Sequence, residues 1–167
     1  LDYSLSNLLP FSLLGNIESA TTLLKSMIEQ GKRIIIVADY DADGATACAL
    51  AMRGLKAMGA HDLQYIVPDR FEHGYGLSPE VVELAADLQP DLIVTVDNGI
   101  SSVEGVSLAR NMGIEVMITD HHLPGPVLPE ASVIVNPNLT DDTFPSKSLA
   151  GVGVMFYVLA ALRASLR

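Results

Sequence analysis

The sequence predicts an α/β domain, a mostly parallel five-stranded sheet flanked by helices. Two observations carry this reading. Short β-branched runs alternate with helix-length segments along the chain, the pattern of βαβ units. The first run, Ile34–Ala38, is apolar throughout rather than alternating, as in a strand buried on both faces.

The elements follow in order. Residues 18–30 read as an N-terminal helix. Residues 33–39 (RIIIVAD) are a short run ending in acid and read as a buried strand. Residues 44–58 are Ala-rich and helix-length, with Gly59 as the stop. Residues 63–67 (LQYIV) read as a second strand. Ser78-Pro79 opens a helix running to about Asp87, with proline in its first turn. Residues 92–97 (LIVTVD) form a third strand. Ser101 or Ser102 can cap a helix that reaches about Met112 and ends at Gly113. Residues 115–119 (EVMIT) form a fourth strand leading into Asp120, and 132–135 (SVIV) a fifth. Residues 123–148 read mostly as loop. Residues 149–163 are apolar enough for a buried helix, whose expected packing partner lies further downstream.

Composition narrows the function classes. The chain has 167 residues, 20 acidic against 10 basic, and a formal net charge of −10. Hydrophobic residues make up 49%, so the acidity is not that of a disordered tail. The charge argues against binding nucleic acid through bulk positive surface. No apolar run approaches a membrane span and no signal peptide is visible. The single Cys48 excludes an internal disulfide and fits a reducing compartment, giving a cytoplasmic expectation. The first residue is Leu1, which suggests a piece of a longer chain. The length suits one domain over 1–167.

The acids are not scattered. Three predicted strands end in aspartate: Asp39, Asp97 and Asp120. In an open parallel sheet, ligands bind at the carboxyl ends of the strands. The first strand continues through Asp41 and Asp43, and the fourth through His121 and His122. Carboxylates this close repel one another unless cations neutralise them. Aspartate with histidine suits a divalent metal, the carboxylates favouring harder ions. One such aspartate alone is often only a helix cap, but that account does not cover three strand ends and a His pair. Two rival motifs fail. An EF-hand loop starting at Asp39 needs Glu at its twelfth position, which is Leu50, and needs a preceding helix rather than a strand. The phosphatase-like reading of Asp41-Ala-Asp-Gly44 leaves Asp120-His-His122 without a purpose.

These residues carry a signature. Val37-Ala-Asp-Tyr-Asp-Ala-Asp-Gly44, Val96-Asp-Asn-Gly99 and Thr119-Asp-His-His122 resemble the first three motifs of the DHH phosphoesterase superfamily. Within it, the RecJ-type single-strand-specific DNA exonucleases are most similar. Pro68–Leu77, Asn136-Pro137 and Leu149–Val154 match further family segments in the same order. The resemblance implies that Asp39, Asp41, Asp43, Asp97 and His121 serve a metal site, with Asp97 as the bridge. It implies that His122 faces the scissile phosphate and that Asp120 orients the histidines. Arg70, His73, Tyr75, Asn98 and Gly99 would meet the substrate; Gly74 and Gly76 would serve loop geometry.

The implied function is metal-dependent hydrolysis of single-stranded DNA from its 5′ end, in repair and recombination. The implied cofactor is Mn²⁺ or Mg²⁺, two ions in the full-length enzyme, clamping the attacking and leaving oxygens. A single-strand-binding protein or a helicase would be a partner, and no membrane is involved. The family's fourth motif, second phosphoesterase domain and OB-fold domain are expected downstream, so little activity is expected of these 167 residues alone. Two other readings keep the fold. One turns over oligoribonucleotides, cyclic dinucleotides or pyrophosphate; the other is a non-catalytic interaction domain, against which the full set of acids and histidines argues. Two divalent cations would bring −10 to about −6.

Overall fold

A computed structural model describes residues 4–69 and 74–167. Helix α1 spans Ile17–Glu29, after two short 3₁₀ turns. Strand β1 (Ile34–Ala38) follows, then α2 (Ala42–Ala57) and β2 (Leu63–Ile66). Next come α3 (Pro79–Ala86), β3 (Leu92–Val96), α4 (Val103–Asn111) and β4 (Glu115–Thr119). Strand β5 (Val133–Val135) and helix α5 (Gly151–Ser165) complete the chain. The five strands run in the order β2-β1-β3-β4-β5, and every pairing is parallel. The order reverses between β1 and β3, and a crevice at such a reversal is where open α/β sheets bind ligands.

The pleat sorts the strand residues into two cores. Ile34, Ile36, Leu92, Val94 and Met117 face α1, α2 and α5. Ile35, Val37, Ile93, Val116 and Ile118 face α3 and α4. Both faces being covered explains why β1 and β3 are buried at every position. Each such side chain contributes about 1.5–3 kcal/mol by leaving water.

Two expectations shift. Helix α2 begins at Ala42, two residues before the predicted start, because the Asp41 carboxylate caps it by accepting from Gly44 N. Asp43 therefore sits inside the first turn. Helix α5 needs no external partner for its main apolar face. Val154, Met155, Val158 and Leu162 are fully buried within this chain's own core. The loop after β5 is tied down by Lys147, which donates to the carbonyls of Pro137 and Asp142. Phe144 is buried and meets Tyr157 of α5 edge to face, ring centroids 5.1 Å apart. Among the described residues no helix is long and apolar enough to cross a membrane.

Phe144 joins this loop to α5. Phe144→Ala is expected to lower unfolding free energy by about 3–5 kcal/mol. Chemical denaturation checks this, with the exposed pair partner Arg110→Ala as a control that stays within about 0.5 kcal/mol.

Candidate metal centre

Strand register builds the site. Ala38 pairs with Val96, and Val96 with Thr119. The next residue on each strand is an aspartate, so Asp39, Asp97 and Asp120 stand side by side. Their backbone N–H groups extend the ladder, donating to Val96, Thr119 and Val135 respectively. All three are buried. Asp97 adopts φ 63°, a left-handed conformation rare for a non-glycine residue and concentrated at functional sites.

Among the described residues, two groups of ligand-capable atoms lie within 4.8 Å of one another. One is Asp39, Asp41 and Asp97; the other is Asp97, His121 and His122. Asp97 belongs to both. Its Oδ1 is buried and receives no hydrogen bond, although His121 Nε2 stands 3.0 Å away. Burial, with the charges of Asp43 and Asp41, pushes the Asp97 pKa up to about 7. Burial and the Asp41 charge also raise that of Asp39, against the lowering effect of a bond from Tyr40 N. An unbonded buried carboxylate oxygen beside an imidazole nitrogen is a costly arrangement unless a proton or cation is shared there. The donor set of carboxylates and imidazole fits a divalent cation such as Mn²⁺ or Mg²⁺.

The Asp-His-His turn is gripped from both sides. Asp120 Oδ1 accepts from the backbone N–H of His121 and of His122, and from His122 Nδ1 at 2.7 Å. Its Oδ2 accepts from Ile100 N. Asp120 thus orients the ring of His122, while it touches His121 only through the backbone. The bond to Asp120 fixes the proton on Nδ1 and leaves Nε2 of His122 for another contact. Burial works against the charged ring of His122, but the Asp120 bond and the surrounding carboxylates outweigh it and raise its pKa. From the opposite side, Asn136 Nδ2 donates to the His122 carbonyl and Asn138 Nδ2 to that of His121. Motif matching picked out Asn136 only as part of an Asn-Pro pair and missed Asn138. A second asparagine two residues beyond Asn136 was the available signal.

Asp43 has further work. Its two carboxylate oxygens accept from Gly151 N and Val152 N, both at 2.7 Å, and so fasten the N-terminus of α5 to the site. Oδ2 also lies 3.7 Å from His121 Nε2. Gly151 lies so close that a Cβ there would run into the Asp97 carboxylate.

The expected substrate contacts divide. Tyr75 and Gly99 line a cavity of about 780 Å³, with Asp39, Asp41 and His122 also in its wall. Tyr75 Oη stands 3.4 Å from His122 Nδ1. Burial and the charges of Asp120 and Asp39 push the phenol's pKa above its ordinary value, so it stays neutral. Asn98 is not in that wall. It is buried, and its Nδ2 donates to the carbonyls of Val37 and Val96, so it braces β1 against β3. Arg70 and His73 lie outside the described residues.

An open parallel sheet with carboxylates and a His pair at the carboxyl edge of its switch point defines a class of α/β domain that gathers candidate divalent-metal ligands at its ligand-binding crevice. The model of the DHH family, N-terminal domain, matches residues 33–166, and the chain belongs to that family. Over all 167 residues it is 57% identical to the single-stranded-DNA-specific exonuclease RecJ of Dickeya dadantii. The chain spans 29% of the length of that relative. The crystal structure of an exonuclease RecJ bound to manganese superposes with TM-score 0.83 at 41% identity, covering 92% of this chain and 38% of the other. RecJ from Thermus thermophilus in complex with Mn²⁺ gives TM-score 0.78 at 38% identity, covering 92% and 21%.

Two outcomes are expected. The Asp97 pKa lies above its ordinary 3.8. The stability of its protonated form is present in full below about pH 4 and is lost as pH rises through about 7. Metal-free melting temperature should fall across that window more steeply than in Asp97→Asn, and Mn²⁺ should raise it more at about pH 7.5 than at about pH 5.5; differential scanning fluorimetry reads both. Gly151→Ala should weaken Mn²⁺ binding about 10–100-fold by calorimetry while circular dichroism stays unchanged.

Proposed function

We propose that this chain is the catalytic phosphoesterase region of a single-strand-specific DNA exonuclease acting from the 5′ end. The observation that carries the reading is the buried Asp97 shared by two ligand groups, in a chain so similar to RecJ. Asp39, Asp41, Asp97 and His121 would hold divalent metal, Mn²⁺ or Mg²⁺. Asp43 would join through a free lone pair while it keeps α5 in place. Bound there, the metal would activate water and neutralise charge on the phosphate.

The chain's own groups account for the rest. His122, held through Nδ1 by Asp120, lines the cavity and keeps Nε2 free of that bond. Its raised pKa favours the charged ring, which can stabilise negative charge building on the phosphate oxygens. Asp120 sets the direction of that ring. The neutral Tyr75 phenol offers a hydrogen bond and an aromatic edge to a nucleotide without repelling its phosphate. The net charge of −10 places most backbone attraction on the metal and on residues outside this surface. Single-stranded DNA ends need a partner that exposes or presents them, so a helicase or single-strand-binding protein is the matching class. The lone buried Cys48 suits a reducing compartment such as the cytoplasm.

A domain exchange tests this. The matching N-terminal region of Dickeya dadantii RecJ is replaced by this chain. The chimera should digest 5′-labelled single-stranded DNA with Mn²⁺ far faster than duplex, and Asp97→Asn should reduce the rate by about 10³-fold or more. A folded, metal-binding chimera that spares DNA but cleaves dinucleotides or pyrophosphate would overturn the reading.

A further inference from the structure

Ser102 stands at the N-cap of α4, yet its side chain makes no capping bond to that helix. Serine at this place ordinarily accepts from a backbone N–H two or three residues on. Ser78, at the N-cap of α3, does so, accepting from Val81 N. The Ser102 hydroxyl instead accepts from Leu77 N at 3.0 Å. It has been diverted from its own helix to a segment 25 residues earlier.

That segment leads into the site. Leu77 is fully buried against α3 and α4, which sets its depth. Gly76 adopts φ +76°, and a Cβ there would meet Ser102 Oγ at 3.0 Å, so the backbone passes directly over the hydroxyl. Tyr75 comes next, its ring edge against His122 with centroids 6.0 Å apart and planes at 86°. Tyr75 and Leu77 line the cavity together with Ser102. Burial of Leu77 alone fixes one point of the strap; the hydrogen bond fixes the direction in which it continues toward Tyr75.

We infer that Ser102 is a positioning residue: by latching the 74–78 strap to the start of α4, it sets Tyr75 against His122 and so tunes the grip on the nucleotide beside the scissile phosphate. This rests on the function proposed above for its substrate, but the latch itself is testable without substrate. Ser102 belongs to neither group of candidate metal ligands. Its loss affects binding rather than bond breaking.

The test has two arms. In the 167-residue chain, Ser102→Ala should speed amide exchange at Leu77 by about tenfold relative to the sheet amides. It should also shift the His122 ring resonances as Tyr75 leaves them. Ser102→Thr, which keeps the hydroxyl, should restore both. Gly76→Ala, which forces the strap off the latch by a separate route, should reproduce the Ser102→Ala signature. A role confined to helix stability would lower the melting temperature and leave the His122 resonances in place, and that result overturns the inference. In the RecJ chimera, Ser102→Ala should raise KM for single-stranded DNA about three- to tenfold with kcat within about twofold; an equal fall in kcat with KM unchanged also overturns it. Altered exchange and ring shifts with no DNA cleavage by the unsubstituted chimera would uphold the latch and remove the function. DNA cleavage with unaltered exchange would do the reverse.

Discussion

Repulsion among carboxylates is the constraint around which this domain is arranged. Parallel register puts Asp39, Asp97 and Asp120 at the ends of three adjacent strands, and Asp41 and Asp43 follow within a helical turn. The strand-end aspartates are buried, so their charges are less screened than in bulk water. Asp97 bears most of the cost, with a strained backbone, a buried oxygen without a donor, and a pKa near neutrality. Such strain persists only where the surroundings overdetermine it. Here they do: β1 and β4 flank it, the Asn98 amide braces β1 against β3, and the start of α5 packs onto it. Two other carboxylates are each gripped by several donors. Asp120 has four polar partners, and Asp43 has the first amides of α5. The repulsion is therefore concentrated where two ligand groups meet.

The His pair is rigid for a different reason. It sits on a loop, yet its backbone is bonded at both its N–H and its C=O groups. Asp120 takes the donors, while Asn136 and Asn138 supply the acceptors with partners. Side-chain freedom is then limited to ring rotation, and for His122 the bond to Asp120 removes most of that. A preorganised ring loses little entropy on meeting its target.

Much of this was legible in the chain. Alternation of apolar runs with helical segments gave the layer order, and the position of each aspartate after a strand gave the edge. Long-range contacts were not legible. Asp43 reads as a ligand in the motif, and its bonds to residues 108 and 109 positions away leave no local trace. Asp41 serves as a cap, which moved the start of α2. Asn98 carries the motif's polar character but spends it on neighbouring strands. Ser102 looks like an ordinary cap, and only the path of the 74–78 strap shows otherwise. Helix α5 looked partnerless because apolar content alone does not say which neighbour covers it.

The attachment of α5 to Asp43 also makes the charged centre depend on a distant part of the chain. The five strands and their acids lie within residues 34–135, but the amides that hold Asp43, and the glycine that fits against Asp97, arrive only with residues 151 and 152. The charged centre is therefore closed by residues more than 100 positions beyond Asp43. Until α5 docks, the acids lack the wall that shapes their spacing. Docking of α5 thus fixes Asp43 and closes against Asp97, so a change at the start of that helix is felt directly among the acids.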